Sequence, residues 1–347
     1  MTGKGSIENF FEDFTIGRQF VCPTPRVLTD ADRVAYITYT GDRSPLYCNS
    51  ENLVHPLIVF HTVLGQTVRQ ISLNAVANLG YAELVWHSPV RTGDVISTEA
   101  EIVGLKENSN RESGIVYVRT VGRNQHHEEV LTYYRWVMVR KRSAVETPFL
   151  ANPVIPTLQP MVKADQLSGD HPGPDIESRS TDGRFLFEDY SVGECIDHVD
   201  GTTINSSDHM SFTRLYQNSA RVHFDAIITG GKPLVYGGLV LSIGYAQAFN
   251  GMEQRLGLRA INSGSHANPV YSGDTLYSLT RVVDKQELSK GGGALRLQLL
   301  VLKNERPPAG FEPHMVDPAT GKKRYHRNVV LDLDYWELIA RRSSDAS

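Results

Sequence analysis

Histidine takes and releases protons near neutrality because its ordinary pKa lies at about 6.5. His223 stands at the end of Gln217-Asn218-Ser219-Ala220-Arg221-Val222-His223, with Asp225 two residues on. An amide is no base at physiological pH, so Asn218 could orient a water but not deprotonate it. Asp225 points to the same side as His223 if the segment is extended, and Asp42 and Asp208 are further carboxylates that could join the imidazole. Arg221 offers a guanidinium, which grips a carboxylate through two parallel N–H bonds. Downstream, Gly237-Gly238 opens an apolar run. A helix start there would present unpaired N–H groups at its positive end, and glycine would let a ligand approach the backbone. Ser242 could add a hydroxyl, although a buried serine more often bonds a backbone carbonyl. By itself, a loop histidine is more often simply hydrogen-bonded in place, and paired glycines can serve packing alone.

These residues lie in the second of two similar halves. Phe11-Glu12-Asp13-Phe14 with Gly17 recurs as Phe187-Glu188-Asp189-Tyr190 with Gly193, and Pro89-Val90 with Gly93-Asp94 recurs as Pro269-Val270 with Gly273-Asp274. His55-Pro56-Leu57-Ile58-Val59-Phe60 similarly resembles Lys232-Pro233-Leu234-Val235-Tyr236-Gly237. Ordered matches of this kind indicate two copies of one domain. Residues 143–184 hold six of the 17 prolines and suit an extended connector over a surface. The expected organisation is therefore 1–142, a linker 143–184, a catalytic copy 185–341, and a disordered tail 342–347.

Each copy shows one apolar helix, Leu57 to about Ser72 and Leu234 to about Phe249. Apolar on nearly every face, such helices are buried all round. Strand patterns follow the first at Tyr81–His87, Val95–Leu105, Ile115–Arg123 and Val130–Lys141. They follow the second at Ala260–Asn268, Thr275–Asp284, Ala294–Lys303 and Asn328–Ile339. The pattern predicts an α+β double hotdog: two antiparallel sheets, each wrapped around a long central helix.

Composition narrows the function classes. Of 347 residues, 40% are apolar and 21% charged, and the formal charge is −4, which excludes the basic excess of a dedicated nucleic-acid binder. No run approaches the roughly 18 apolar residues of a membrane helix, and Met1–Ser6 lacks the apolar core of a secretory signal. Three cysteines without redox or ligand spacing complete the expectation of a cytosolic, reduced, soluble protein. His126-His127 falls in a turn where adjacent rings diverge, and no metal is expected.

The stretch before each helix carries a family resemblance. Gly41-Asp42-Arg43-Ser44-Pro45-Leu46-Tyr47 and Gln217 to His223 resemble the Gly-Asp-x-Asn-Pro-x-His motif of the (R)-specific enoyl-CoA hydratases, or MaoC-like dehydratases. The first copy has Tyr47 in place of the His, and the second has Asn218 in place of the Asp. The chain as a whole resembles the mesaconyl-CoA hydratase branch in Asn9–Phe14, Ser72–Glu83, Gly104–Arg111, Tyr134–Arg142 and Gln217–Phe224.

The resemblance implies reversible, syn addition of water to an α,β-unsaturated acyl-CoA, mesaconyl-CoA giving β-methylmalyl-CoA. His223 would move protons with Asn218 and Asp225 beside it. Gly237, Gly238 and Ser242 would hold the thioester oxygen, and Arg221 the free carboxylate of the acyl group. Lys232 and Arg255 are candidates for the CoA phosphates. Enolate chemistry on a thioester needs no metal or redox cofactor. The partners implied are an acyl-CoA and a second copy of the chain in a dimer, with no nucleic acid or membrane. Three alternatives stay open on the sequence: a hydratase for uncharged acyl chains, a hotdog thioesterase, and a silent acyl-CoA binder.

Overall fold

The computed structural model describes residues 4, 9–48, 52–143, 152–167, 183–288, 293–318 and 321–342. Two short strands, β1 (Gln19–Val21) and β2 (Arg26–Val27), open the first copy. Helices α1 (Asp30–Thr40), α2 (Pro45–Cys48) and α3 (Pro56–Thr67) follow. Four long strands complete it: β3 (Ala75–Trp86), β4 (Val95–Glu107), β5 (Ser113–Arg123) and β6 (Glu129–Arg140). The second copy repeats the order with β7 (Cys195–Asp197), β8 (Thr202–Thr203), α4 (Ser206–Leu215) and α5 (Gly237–Gln247). It continues with β9 (Arg255–Ser265), β10 (Thr275–Glu287), β11 (Gly293–Lys303), a hairpin of β12 (His314–Val316) and β13 (Lys323–Tyr325), and β14 (Val329–Ile339).

The sheet is continuous. Its order, β1-β4-β5-β6-β3-β9-β14-β11-β10-β7, runs from one copy into the other. The seam is an antiparallel pairing of β3 with β9, Gly80 opposite Ser265 through Val85 opposite Ala260. The two expected sheets are thus joined edge to edge, which removes the exposed edge that each would present alone. The fold is a double hotdog of α+β class, with one twelve-stranded sheet in place of two separate ones.

Period-two alternation fixes which side chains face the helices. On β6, Leu131, Tyr133, Arg135, Val137 and Val139 are buried, and the residues between them are partly exposed. α3 and α5 have every residue after their first buried and share one apolar core with strands of both copies. α3 continues as a π-helical turn to Ser72, as the apolar run implied. α5 begins three residues later than that run, at Gly237. Of the proline-rich stretch, residues 152–167 are described. Val154 bridges Leu105, and Val162 and Leu167 pack with Val85, Leu256 and Trp336 beside the seam. Residues 144–151 and 168–182 of the stretch, and residues 343–347, lie outside the described residues.

Candidate active site

The turn that carries Asn218 shares two features with its counterpart in the first copy. α1 ends on Gly41 at φ 71°, and α4 is followed by Gln217 at φ 56°. The left-handed conformation suits the glycine and strains the glutamine, a strain found mostly where function requires it. The next residue folds its side chain back: Ser44 N–H donates to Asp42 Oδ1 at 2.8 Å, and Ala220 N–H donates to Asn218 Oδ1 at 3.1 Å. Asn218 keeps its NH2 group for other partners.

His223 closes a single 3-10 turn, Arg221–His223. Its Nδ1 lies 2.8 Å from the carbonyl of Leu234. A carbonyl only accepts, so the neutral ring carries its proton on Nδ1 and turns the Nε2 lone pair to the cavity it lines. Burial lowers its pKa to about 4, against the opposing effect of the Leu234 carbonyl. His209 on α4 fixes the backbone around it: its Nε2 donates to the His223 carbonyl at 3.2 Å, and its Nδ1 accepts the N–H of Tyr236 at 3.4 Å.

Asn218, His223, Gly237 and Gly238 line one cavity of about 470 Å3. It lies between the start of α5 and the seam, with Phe60, Ser72, Asn78, Tyr81 and Arg135 from the first copy on its far wall. Tyr236 caps α5, and the first N–H groups bonded back to it are those of Leu239 and Val240. The N–H groups of Gly237 and Gly238 therefore remain for a ligand, at the positive end of the helix. A Cβ at Gly237 would stand 2.6 Å from the ring of His266, which also lines the cavity.

Three expected residues are not brought to this cavity. Asp225 caps its own turn, with Oδ1 accepting the N–H of Ile227 at 2.9 Å and of Ile228 at 3.3 Å. The segment is a 3-10 turn and not extended, so residues two apart diverge. Arg221 donates to Asn74 Oδ1 at 2.9 Å instead of opening onto the cavity. Ser242 is fully buried in α5, 2.8 Å from Nε2 of His61 on α3. Of the other candidates, Asp208 donates its N–H to Asn205, the cap of α4, at 2.9 Å, and Arg255 is buried against Tyr245 and does not line the cavity. Lys232 does stand exposed at the cavity wall, with Arg140.

Asp42 belongs to the counterpart place in the first copy. Its Oδ2 is 3.1 Å from Nε2 of His55, and both side chains are 2% exposed. Despite burial, which works the other way, the His55 imidazole beside it holds the Asp42 carboxyl down to about 2. Tyr36 stacks on His55 at 4.7 Å and Tyr47 packs on it at 4.3 Å. The space at this pair is about 10 Å3, water-sized at most. Among the described residues no Asp or Glu lines the large cavity.

The polar lining that sequence reasoning missed is Arg135, His266, Asn78 and Tyr81. One signal was available: Arg135 falls on the apolar phase of the alternation in β6.

A double hotdog with a deep cavity at the mouth of its second helix is the build of a MaoC-like dehydratase. The fold matches a MaoC domain protein dehydratase from Chloroflexus aurantiacus with a TM-score of 0.85 and 38% identity, over 99% of this chain and 100% of that one. It also matches a double hotdog protein of Mycobacterium tuberculosis at 24% identity and a TM-score of 0.74, covering 95% and 98%. The mesaconyl-CoA hydratase family model matches residues 3–153. A mesaconyl-CoA hydratase of Cereibacter sphaeroides is 43% identical over 97% of this chain and 100% of its own length. A beta-methylmalyl-CoA dehydratase of Chloroflexus aurantiacus is 40% identical over 99% and 100%. The chain belongs to the mesaconyl-CoA hydratase family and is an enzyme of the hydro-lyase class.

Proposed function

We propose that the cavity reversibly adds water to mesaconyl-CoA to give β-methylmalyl-CoA. The observation that carries this reading is the convergence of one neutral imidazole and one open helix start on a single cavity. Nε2 of His223 takes a proton from water as the water oxygen bonds to the β-carbon. The thioester carbonyl becomes an enolate, whose oxygen is held by the N–H groups of Gly237 and Gly238. The imidazolium then returns the proton to the α-carbon. One O–H bond and the π bond of the C=C break, one C–O and one C–H bond form, and the imidazole ends as it began. Using one group for both transfers puts the two additions on the same face of the double bond. Asn218 orients the water through its NH2 group, which leaves His223 as the base where the related motif has an Asp-His pair. The two relatives' names describe the two directions of this one reaction.

The test is to incubate the purified enzyme with mesaconyl-CoA and follow product by mass, with crotonyl-CoA and a free-thiol assay alongside. Gain of 18 mass units on mesaconyl-CoA, at a kcat/KM well above that on crotonyl-CoA, is expected. Faster hydration of crotonyl-CoA, release of free CoA, or no turnover would each overturn the reading.

A further inference from the structure

Among the described residues, Arg135 is the one guanidinium that lines the cavity from inside the core. It sits on β6 opposite Tyr81 and is 1% exposed. Its contacts are Thr67 Oγ1 at 2.9 Å, Asn78 Oδ1 at 3.4 Å and Ser72 Oγ at 3.5 Å, and its Nε has no partner. All three partners are neutral. The nearby phenols of Tyr133 and Tyr236 are themselves pushed upward by burial, Tyr133 to about 12, so they add no negative charge at neutral pH. Two other buried cations have carboxylates beside them: Lys141 is paired with Glu107, and Arg255 lies in the field of Glu337 and Asp42. A buried, uncompensated guanidinium is costly unless an anion completes it. Arg135 is also among the residues that line the cavity, from which an anion could reach it.

We propose that Arg135 binds the free carboxylate of the acyl group and sets the enzyme's preference for thioesters of dicarboxylic acids. This inference rests on the hydratase reading above for the orientation of the acyl chain, and it moves to β6 the role that the sequence assigned to Arg221. Guanidinium binds carboxylate through paired N–H donors, and Arg135 has an unused Nε beside Nη groups held by weak neutral acceptors. The two copies then divide the substrate. The second supplies His223, Asn218 and the N–H groups of α5 at the thioester end. The first supplies, across the seam, the cation for the far end.

The experiment uses two saturated thioesters of the same chain length that cannot be hydrated, succinyl-CoA with a terminal carboxylate and butyryl-CoA without one. Affinities are measured calorimetrically for wild type, Arg135→Met and Arg135→Lys. The wild type is expected to prefer succinyl-CoA, and Arg135→Met to lose this preference by about 100-fold or more, with Arg135→Lys between them. Butyryl-CoA binding reports whether the variant cavity is intact. An unchanged preference in Arg135→Met, or an equal loss for both ligands, overturns the proposal. Because no turnover is read, failure of the hydratase assay on the wild type with the binding preference intact would sink the reaction and leave the carboxylate site standing.

Discussion

Asp42 and Asn218 are one position in two copies, each accepting the N–H of the residue two further on through Oδ1. One is a carboxylate closed against His55, and the other an amide opening onto a cavity of about 470 Å3. The residues that follow have exchanged roles too, Tyr47 standing in the first copy where His223 stands in the second. Among the described residues, the His223 imidazole and a substrate-sized space therefore coincide at this position of the second copy, whereas the first copy is closed there.

With its pKa lowered to about 4 by burial, His223 stays neutral through the physiological range. Its service as a base is lost only as pH falls through that value. The acid limb of kcat/KM is thus expected below about pH 5.5, not near the 6.5 of an exposed imidazole. His223→Ala should lower kcat by about 10²–10⁴-fold. Asn218→Asp should move the limb toward neutrality, since a carboxylate in the same cavity favours the imidazolium. A limb at 6.5 in the wild type, or none that responds to Asn218→Asp, would count against His223 as the titrating base.

Gly237→Ala would drive a methyl group to 2.6 Å from the His266 ring and over the open N–H groups of α5. A fall in kcat of about 10²–10³-fold is expected, the usual loss when oxyanion donors are displaced. Circular dichroism should show a folded variant, with melting lowered as the His266 ring shifts to admit the methyl group. Turnover within threefold of wild type would remove this helix start from the mechanism.

Asp42→Ala strips His55 of the carboxylate at 3.1 Å and leaves a buried imidazole unsatisfied. Stability should drop by about 2–4 kcal/mol in chemical denaturation, while kcat on mesaconyl-CoA changes by less than about threefold. Abolished turnover in a folded Asp42→Ala protein, together with full turnover in His223→Ala, would mean that the working copy is the first one.

Acid should unfold the protein through its histidines. Burial lowers His61 to about 3 and His198, His223 and His266 to about 4. Between pH 6.5 and about 4 the unfolded chain binds protons there that the folded chain does not, so stability falls as pH drops, by up to about 1.4 kcal/mol per unit for each imidazole. Glu337, raised to about 7 by burial, opposes this between 7 and 4.5, because its folded form takes the proton first. Four groups outweigh one, and urea midpoints measured from pH 7 to 4.5 should decrease. A flat or rising midpoint would contradict the burial of these rings.

The long strands and both central helices were legible because burial on one face writes a period into the chain, as in Leu131, Tyr133, Val137 and Val139. α1 and α4 were not: their apolar positions are few, and Asp32 and His209 sit among the buried ones. Sequence similarity aligned His55 with Lys232, whereas Gln66 and Gln247 bond to equivalent carbonyls, Ile96 and Leu276, and place His55 against Tyr236. The difference is the extra turn around Asp225–Gly231, which matching of local strings slides past. Asn218, His223, Gly237 and Gly238 could be found because each lies within a contiguous motif. Arg135 reaches the same cavity from another copy and another strand, a proximity made by the β3–β9 seam that no local spacing records.

That seam also sets what the chain is free to alter. Two identical subunits meeting along such a line would have to share every substitution, so a change that spoiled one centre would spoil its twin. Joined within one polypeptide, the copies escape that symmetry. Tyr47 from the first copy, with Arg255 and Glu337 from the second, fills the place beside the first central helix, and the place beside the second helix keeps the hollow.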